Sequence, residues 1–142
     1  MAKAHKIPGI VIHCSATPEG VPFDIDDIDE WHRERGWRGC GYHYVVGLGG
    51  EVWRGRECGE LGAHAKGYNE WVGVCYIGGV NSAHEPKDTR TELQRIALAE
   101  LLAALRIVYG PVPIVGHHDL PGVRKACPSF DARNEYEELW TE

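Results

Sequence analysis

No apolar run in this 142-residue chain approaches the ~20 residues of a membrane-spanning helix, so insertion into a bilayer is not expected. A basic excess is missing too. The formal net charge is -6, which argues against a nucleic-acid binder driven by phosphate neutralisation and leaves a protein partner or a small polar substrate. Cys14, Cys40, Cys58, Cys75 and Cys127 are odd in number and share no repeated spacing. That argues against a disulfide scaffold and favours synthesis in a reducing compartment. Met1 to Pro8 carry no apolar core of the signal-peptide kind, so the expected setting is the cytoplasm. Repeats, linkers and low-complexity tracts are absent as well. What is present is ordinary for one folded domain over residues 1–142: 43% hydrophobic and 25% charged residues, on a chain long enough to bury a core.

Neither C-x-x-C nor H-E-x-x-H occurs. Metal-binding chemistry is nevertheless concentrated in one stretch, Val115 to Asp131, which holds His117, His118, Asp119, Arg124, Lys125 and Cys127. Imidazole nitrogen and thiolate sulfur are zinc's preferred donors, and a catalytic zinc keeps three protein ligands and one open position. Adjacent side chains at a strand end diverge, so one of the two histidines is expected as a ligand and the other as its neighbour. On spacing alone the stretch reads rather as a surface loop with a small buried cysteine than as a zinc site. A third ligand must come from elsewhere in the chain.

Gly9 to Ser15 reads as a buried strand, with His13 near its carboxyl end, where sites gather in sheets flanked by helices. Taken alone, His13 reads as a core histidine. Asp24 to Gly36 fits a helix with acidic first turns, a basic last turn and a terminal glycine, and it packs His32 with Ile25 and Ile28. Tyr42 to Gly47 and Val52 to Arg54 fit a hairpin, whose alternation puts Tyr42 and Tyr44 on one face and His43 on the other. Glu60 to Asn69 lacks periodicity and is expected as a loop whose His64 and Asn69 wall a cleft. Val72 to Gly79 and Val112 to Gly116 fit two more strands. Thr89 to Tyr109 is the clearest helix, with Thr89-x-x-Glu92 and Thr91-x-x-Gln94 both fitting capping boxes. Leu93, Ile96, Ala97, Leu101, Leu105 and Val108 form its expected core stripe. Asp131 to Trp140 can close as a short helix. The fold class expected is α/β (mixed α+β), a central mixed sheet flanked by helices with a site in a cleft at the strand ends.

Four stretches together carry a resemblance: His13-Cys14-Ser15-Ala16-Thr17, Gly41-Tyr42-His43-Tyr44, Gly62 to Asn69, and His117 to Phe130. In this order they resemble the zinc-dependent N-acetylmuramoyl-L-alanine amidases, the superfamily that includes the peptidoglycan recognition proteins. The chain is most similar to their coliphage branch. Carried over position by position, the resemblance implies one zinc ion per chain on His13, His117 and Cys127, with Tyr42 and Lys125 as catalytic residues. His64, and with it Asn69, falls beside the substrate cleft. Between His117 and Cys127 the loop is longer here than in that branch, which leaves the path of Pro121 to Arg124 open. The implied reaction is hydrolysis of the amide between N-acetylmuramic acid and L-alanine in peptidoglycan, by a phage endolysin that waits in the host cytoplasm for a holin to open the membrane. The same resemblance allows a recognition module that binds wall fragments without cutting them, although such members typically lack the cysteine. It also allows an inhibitor of a phage RNA polymerase. A monomer is expected, and Cys14, next along the strand from His13, is expected to point away from the metal.

Overall fold

A computed structural model of the chain describes residues 6–141. The outermost residues of the expected domain, and most of the segment read for a signal peptide, lie outside that range. Five strands form the main sheet: β1 (Ile10–Cys14), β3 (Tyr44–Val46), β4 (Val52–Arg54), β5 (Val72–Tyr76) and β7 (Ile114–Gly116). Their spatial order is β4-β3-β5-β1-β7, with β3, β5, β1 and β7 mutually parallel and β4 antiparallel at the edge. Two short strands that sequence periodicity does not reveal, β2 (Thr17–Pro18) and β6 (Gly79–Val80), pair in parallel beside it. Among the described residues no helix is long and apolar enough to cross a membrane.

Both faces of the sheet are covered, which is why β1 and β5 are apolar almost throughout and buried along their full length. Ile10, Ile12, Val72, Val74 and Tyr76 face the long helix α2 (Glu92–Tyr109) and the short helices α3 (Ala132–Glu135) and α4 (Glu137–Trp140). On the opposite face Val45, Cys75 and Ile77 meet α1 (Ile25–Glu34) through Ile28. Val11, on that same face, is covered by Ala65, Tyr68, Trp71 and Leu120 from loops rather than helices. His13, two residues on from Val11 in β1, points to this same loop-covered face.

Caps fix the helix starts. Asp24 closes a reciprocal box with Asp27 at α1, and Thr91 does the same with Gln94 at α2. The alternative box fails because the Thr89 hydroxyl accepts the Gly79 N–H instead, at 2.8 Å. The core stripe of α2 also differs from the expected one. Ala97 and Leu105 are buried, but Leu93, Ile96 and Val108 are exposed while Gln94, Leu98 and Leu102 face the sheet. The cause is Gln94, whose side-chain amide donates to the carbonyls of Val46 and Ile77 and draws a polar position into the core. Tyr42 departs from the hairpin expectation. β3 begins only at Tyr44, so the alternation does not reach back to Tyr42, and the two tyrosines pack into opposite clusters.

Candidate metal centre

Strand register brings the first two candidates together. β1 and β7 run parallel with Ile12 opposite Gly116, so the next residues along, His13 and His117, stand side by side at the carboxyl ends. Their ring centroids are 4.5 Å apart. His117 opens a 3-10 turn, His117–Asp119, and Asp119 secures it by accepting the Gly116 N–H at 2.8 Å.

That turn also fetches the third candidate. The His118 backbone N–H donates to the Cys127 carbonyl at 2.8 Å. Its ring Nδ1 donates to the Ala126 carbonyl at 3.1 Å. Together these bonds tie the turn to the segment that ends in Cys127. Two further bonds seat that segment. The Tyr76 hydroxyl donates to the Pro128 carbonyl at 2.6 Å, and the Ser129 hydroxyl donates to the Gly79 carbonyl at 2.8 Å. The Cys127 sulfur then lies 3.9 Å from His13 Nδ1 and accepts the Cys14 N–H at 3.1 Å.

Among the described residues, His13, His117 and Cys127 form the one group of three or more metal-type donors, with their ligand atoms all within 4.8 Å of one another. A tetrahedral zinc with ordinary bond lengths sets nitrogen and sulfur donors about 3.6 Å apart. The His13–Cys127 separation is close to that value, and the two-nitrogen, one-sulfur donor set is of the kind zinc takes. The residues fit a zinc ion.

The electrostatics agree with the geometry. Burial, with the nearby imidazoles of His64 and His117, holds His13 well below the usual histidine range. Burial and the Lys125 ammonium lower His117. Both rings are therefore neutral near pH 7 and have a lone pair to offer. The neighbouring Cys14 side chain, followed by burial, pushes the Cys127 thiol up, so a bound cation would favour the loss of its proton. Cys14 itself is buried in the core on the α2 side and is not one of the clustered donors.

The remaining candidates surround this group. The Tyr42 ring packs 5.1 Å from that of His13, and burial raises its phenol well above the usual value, so it keeps its proton. Lys125 is exposed, close enough to His117 to depress it, and makes no ion pair among the described residues. His64 and Asn69 border a groove of about 440 Å³ that reaches His117. Neither offers it all of its polar atoms. His64 bonds His13 through Nδ1 at 2.9 Å and the Trp71 carbonyl through Nε2 at 2.8 Å. Asn69 Oδ1 accepts the backbone N–H groups of His64 and Ala65 and so shapes the loop. His118 lies outside the donor cluster, as expected for the neighbour of a ligand.

Trp37 and Lys66 also line the groove. Sequence reasoning gave them no role, because residues in an irregular loop carry no periodic signal that aims them at a site. A second depression, about 410 Å³ and lined by Asp29, Arg38 and Arg56 among others, shares no residue with the donor cluster.

Comparison with known proteins agrees with this geometry. The endolysin of Klebsiella phage KP32 is 38% identical over 136 residues, covering 95% of this chain and 89% of the relative. The endolysin of Escherichia phage T7 is 37% identical over 129 residues, covering 90% and 84%. Among solved structures, the N-acetylmuramoyl-L-alanine amidase LysC of Clostridium intestinale superposes with a TM-score of 0.78 at 28% identity, covering 96% of this chain and 87% of that one. The model of the family described as N-acetylmuramoyl-L-alanine amidase matches residues 3–130, and with nearly the whole chain inside that match, the protein belongs to this family.

Proposed function

We infer that this chain is a phage endolysin that hydrolyses the amide bond between the lactyl group of N-acetylmuramic acid and L-alanine in peptidoglycan, using one zinc ion held by His13, His117 and Cys127. The observation that carries the reading is the compact two-histidine, one-cysteine cluster at the strand ends of a chain of this family. The intact cysteine favours it over a module that only binds wall fragments. Release from the host cytoplasm through a holin lesion belongs to the same reading.

Zinc bound there supplies a Lewis acid and lowers the pKa of a water molecule to about 7. The protein's own groups do the rest. Lys125, a cation beside His117 with no ion pair among the described residues, meets the negative charge that develops on the scissile carbonyl oxygen. The Tyr42 hydroxyl, kept protonated by burial, either orients the attacking water or relays a proton, passing its own to the leaving amine of L-alanine while taking one from the attacking water. The groove beside His117 takes the peptide stem between Trp37 and Lys66.

Metal analysis joined to a wall-clearing assay tests the reading. The purified protein should carry one zinc per chain, lose clearing of Gram-negative walls with chelator and regain it with added zinc. A protein that clears walls equally well after its metal is stripped contradicts it.

A further inference from the structure

His64 makes two hydrogen bonds in series that fix where protons lie. Its Nε2 is 2.8 Å from the Trp71 carbonyl, which can only accept, so Nε2 carries the His64 proton. A neutral imidazole has one N–H, so His64 Nδ1 is bare and accepts from His13 Nε2 at 2.9 Å. His13 in turn has its proton on Nε2 and a bare Nδ1, the nitrogen that faces the Cys127 sulfur at 3.9 Å.

A niche is built for this ring. A Cβ on Gly73 would stand 2.6 Å from His64 Cγ, and one on Gly62 would stand 2.5 Å from His64 Cδ2. Two glycines, one of them inside β5, leave the room the imidazole occupies. The loop behind it is pinned by Asn69, which accepts the His64 N–H at 2.8 Å.

We propose that His64 is a positioning residue: anchored on the Trp71 carbonyl, it holds His13 in the Nε2–H tautomer and turns Nδ1 toward the metal position. The proposal rests on the zinc reading above. It assigns His64 an action through His13, behind the ligand, rather than a contact with the peptidoglycan. Outer partners of ligating histidines fix tautomer and ring orientation, and their loss typically costs 10–100-fold in metal affinity.

The test combines histidine nitrogen NMR on the metal-free full chain with zinc affinity measured by chelator competition. In the wild type, His13 is expected as a single Nε2–H tautomer. In His64→Leu it is expected as a mixture of tautomers, with zinc bound roughly 10–100-fold more weakly. His64→Gln, whose carboxamide can donate to Trp71 and accept from His13, is expected to recover most of that affinity. An Nδ1–H tautomer of His13 in the wild type overturns the proposal, as does a His64→Leu protein with unchanged zinc affinity. Should His64→Leu fail to fold, the wild-type tautomer and the Gln variant still decide. A wild type that takes up no zinc contradicts the zinc reading itself, and the proposal falls with it.

Discussion

Replacing Tyr76 by Phe probes the seat of the Cys127 segment with the smallest change available. Tyr76 is fully buried, and its hydroxyl donates to the carbonyl of Pro128, itself buried, across the core at 2.6 Å. The ring of Phe fills the same space, so the loss is one donor. A buried carbonyl deprived of its partner costs about 1–3 kcal/mol, whereas the net worth of an ordinary hydrogen bond is about 1 kcal/mol. The desolvated carbonyl therefore sets the expectation, about 2 kcal/mol of unfolding free energy. For a chain of this size that corresponds to a Tm lower by roughly 4–8 °C. Urea unfolding of the metal-free protein should show a lower midpoint at unchanged slope. Because Pro128 directly follows Cys127, zinc affinity should fall in the same variant. A loss below about 0.5 kcal/mol, the range of an inert surface change, would refute the view that this bond seats the segment.

Three other perturbations address separate parts of the molecule. Lys125→Met should lower kcat/KM by about 10²–10³-fold while leaving the zinc content intact, if the ammonium stabilises the developing oxyanion; kinetics paired with metal analysis checks this. His32 has its Nδ1 accepting the Gly41 N–H at 2.8 Å, and burial, then Arg35 and Arg56, lowers its pKa to about 4. Below the unfolded-state pKa of about 6.5 the unfolded chain takes up this proton first, so stability is complete above that pH and falls on acidification toward 4. His32→Gln should remove roughly 2 kcal/mol of that pH dependence in denaturant titrations of the metal-free protein. The Arg90 side chain is 1% exposed and pairs with Asp88 and Glu135 while lying over the Phe130 ring. Breaking a fully buried pair costs about 3–5 kcal/mol, but both carboxylates here are partly hydrated and Arg95 stays near them, so Arg90→Met should cost about 2–3 kcal/mol by calorimetry.

Much of the fold was legible because its elements carry local signals. The apolar runs of β1 and β5, the capping residues Asp24 and Thr91, and the glycine-bearing turn of the β3–β4 hairpin each follow from short-range chemistry. The long helix was legible as a helix but not in its rotation, since an apolar stripe cannot foresee that buried carbonyls of Val46 and Ile77 draw Gln94 inward. Tyr42 misled for a related reason: alternation holds only inside a strand, and it stands before β3 begins. Donor chemistry marked the stretch from His117 to Cys127, but the complete cluster, with His13 in it, was legible only through resemblance. His13 and His117 meet because β1 and β7 are neighbours in a given register, a long-range fact that no local pattern encodes. The bonds from His64 to His13 and Trp71 are invisible in the sequence for the same reason.

The most direct test of the central claim is product analysis on purified Gram-negative peptidoglycan, counting new alanine amino-termini against new reducing sugar ends, with and without chelator. New amino-termini alone, abolished by chelator and restored by zinc, are the expected result. New reducing ends, or no cleavage by zinc-loaded protein, would contradict it.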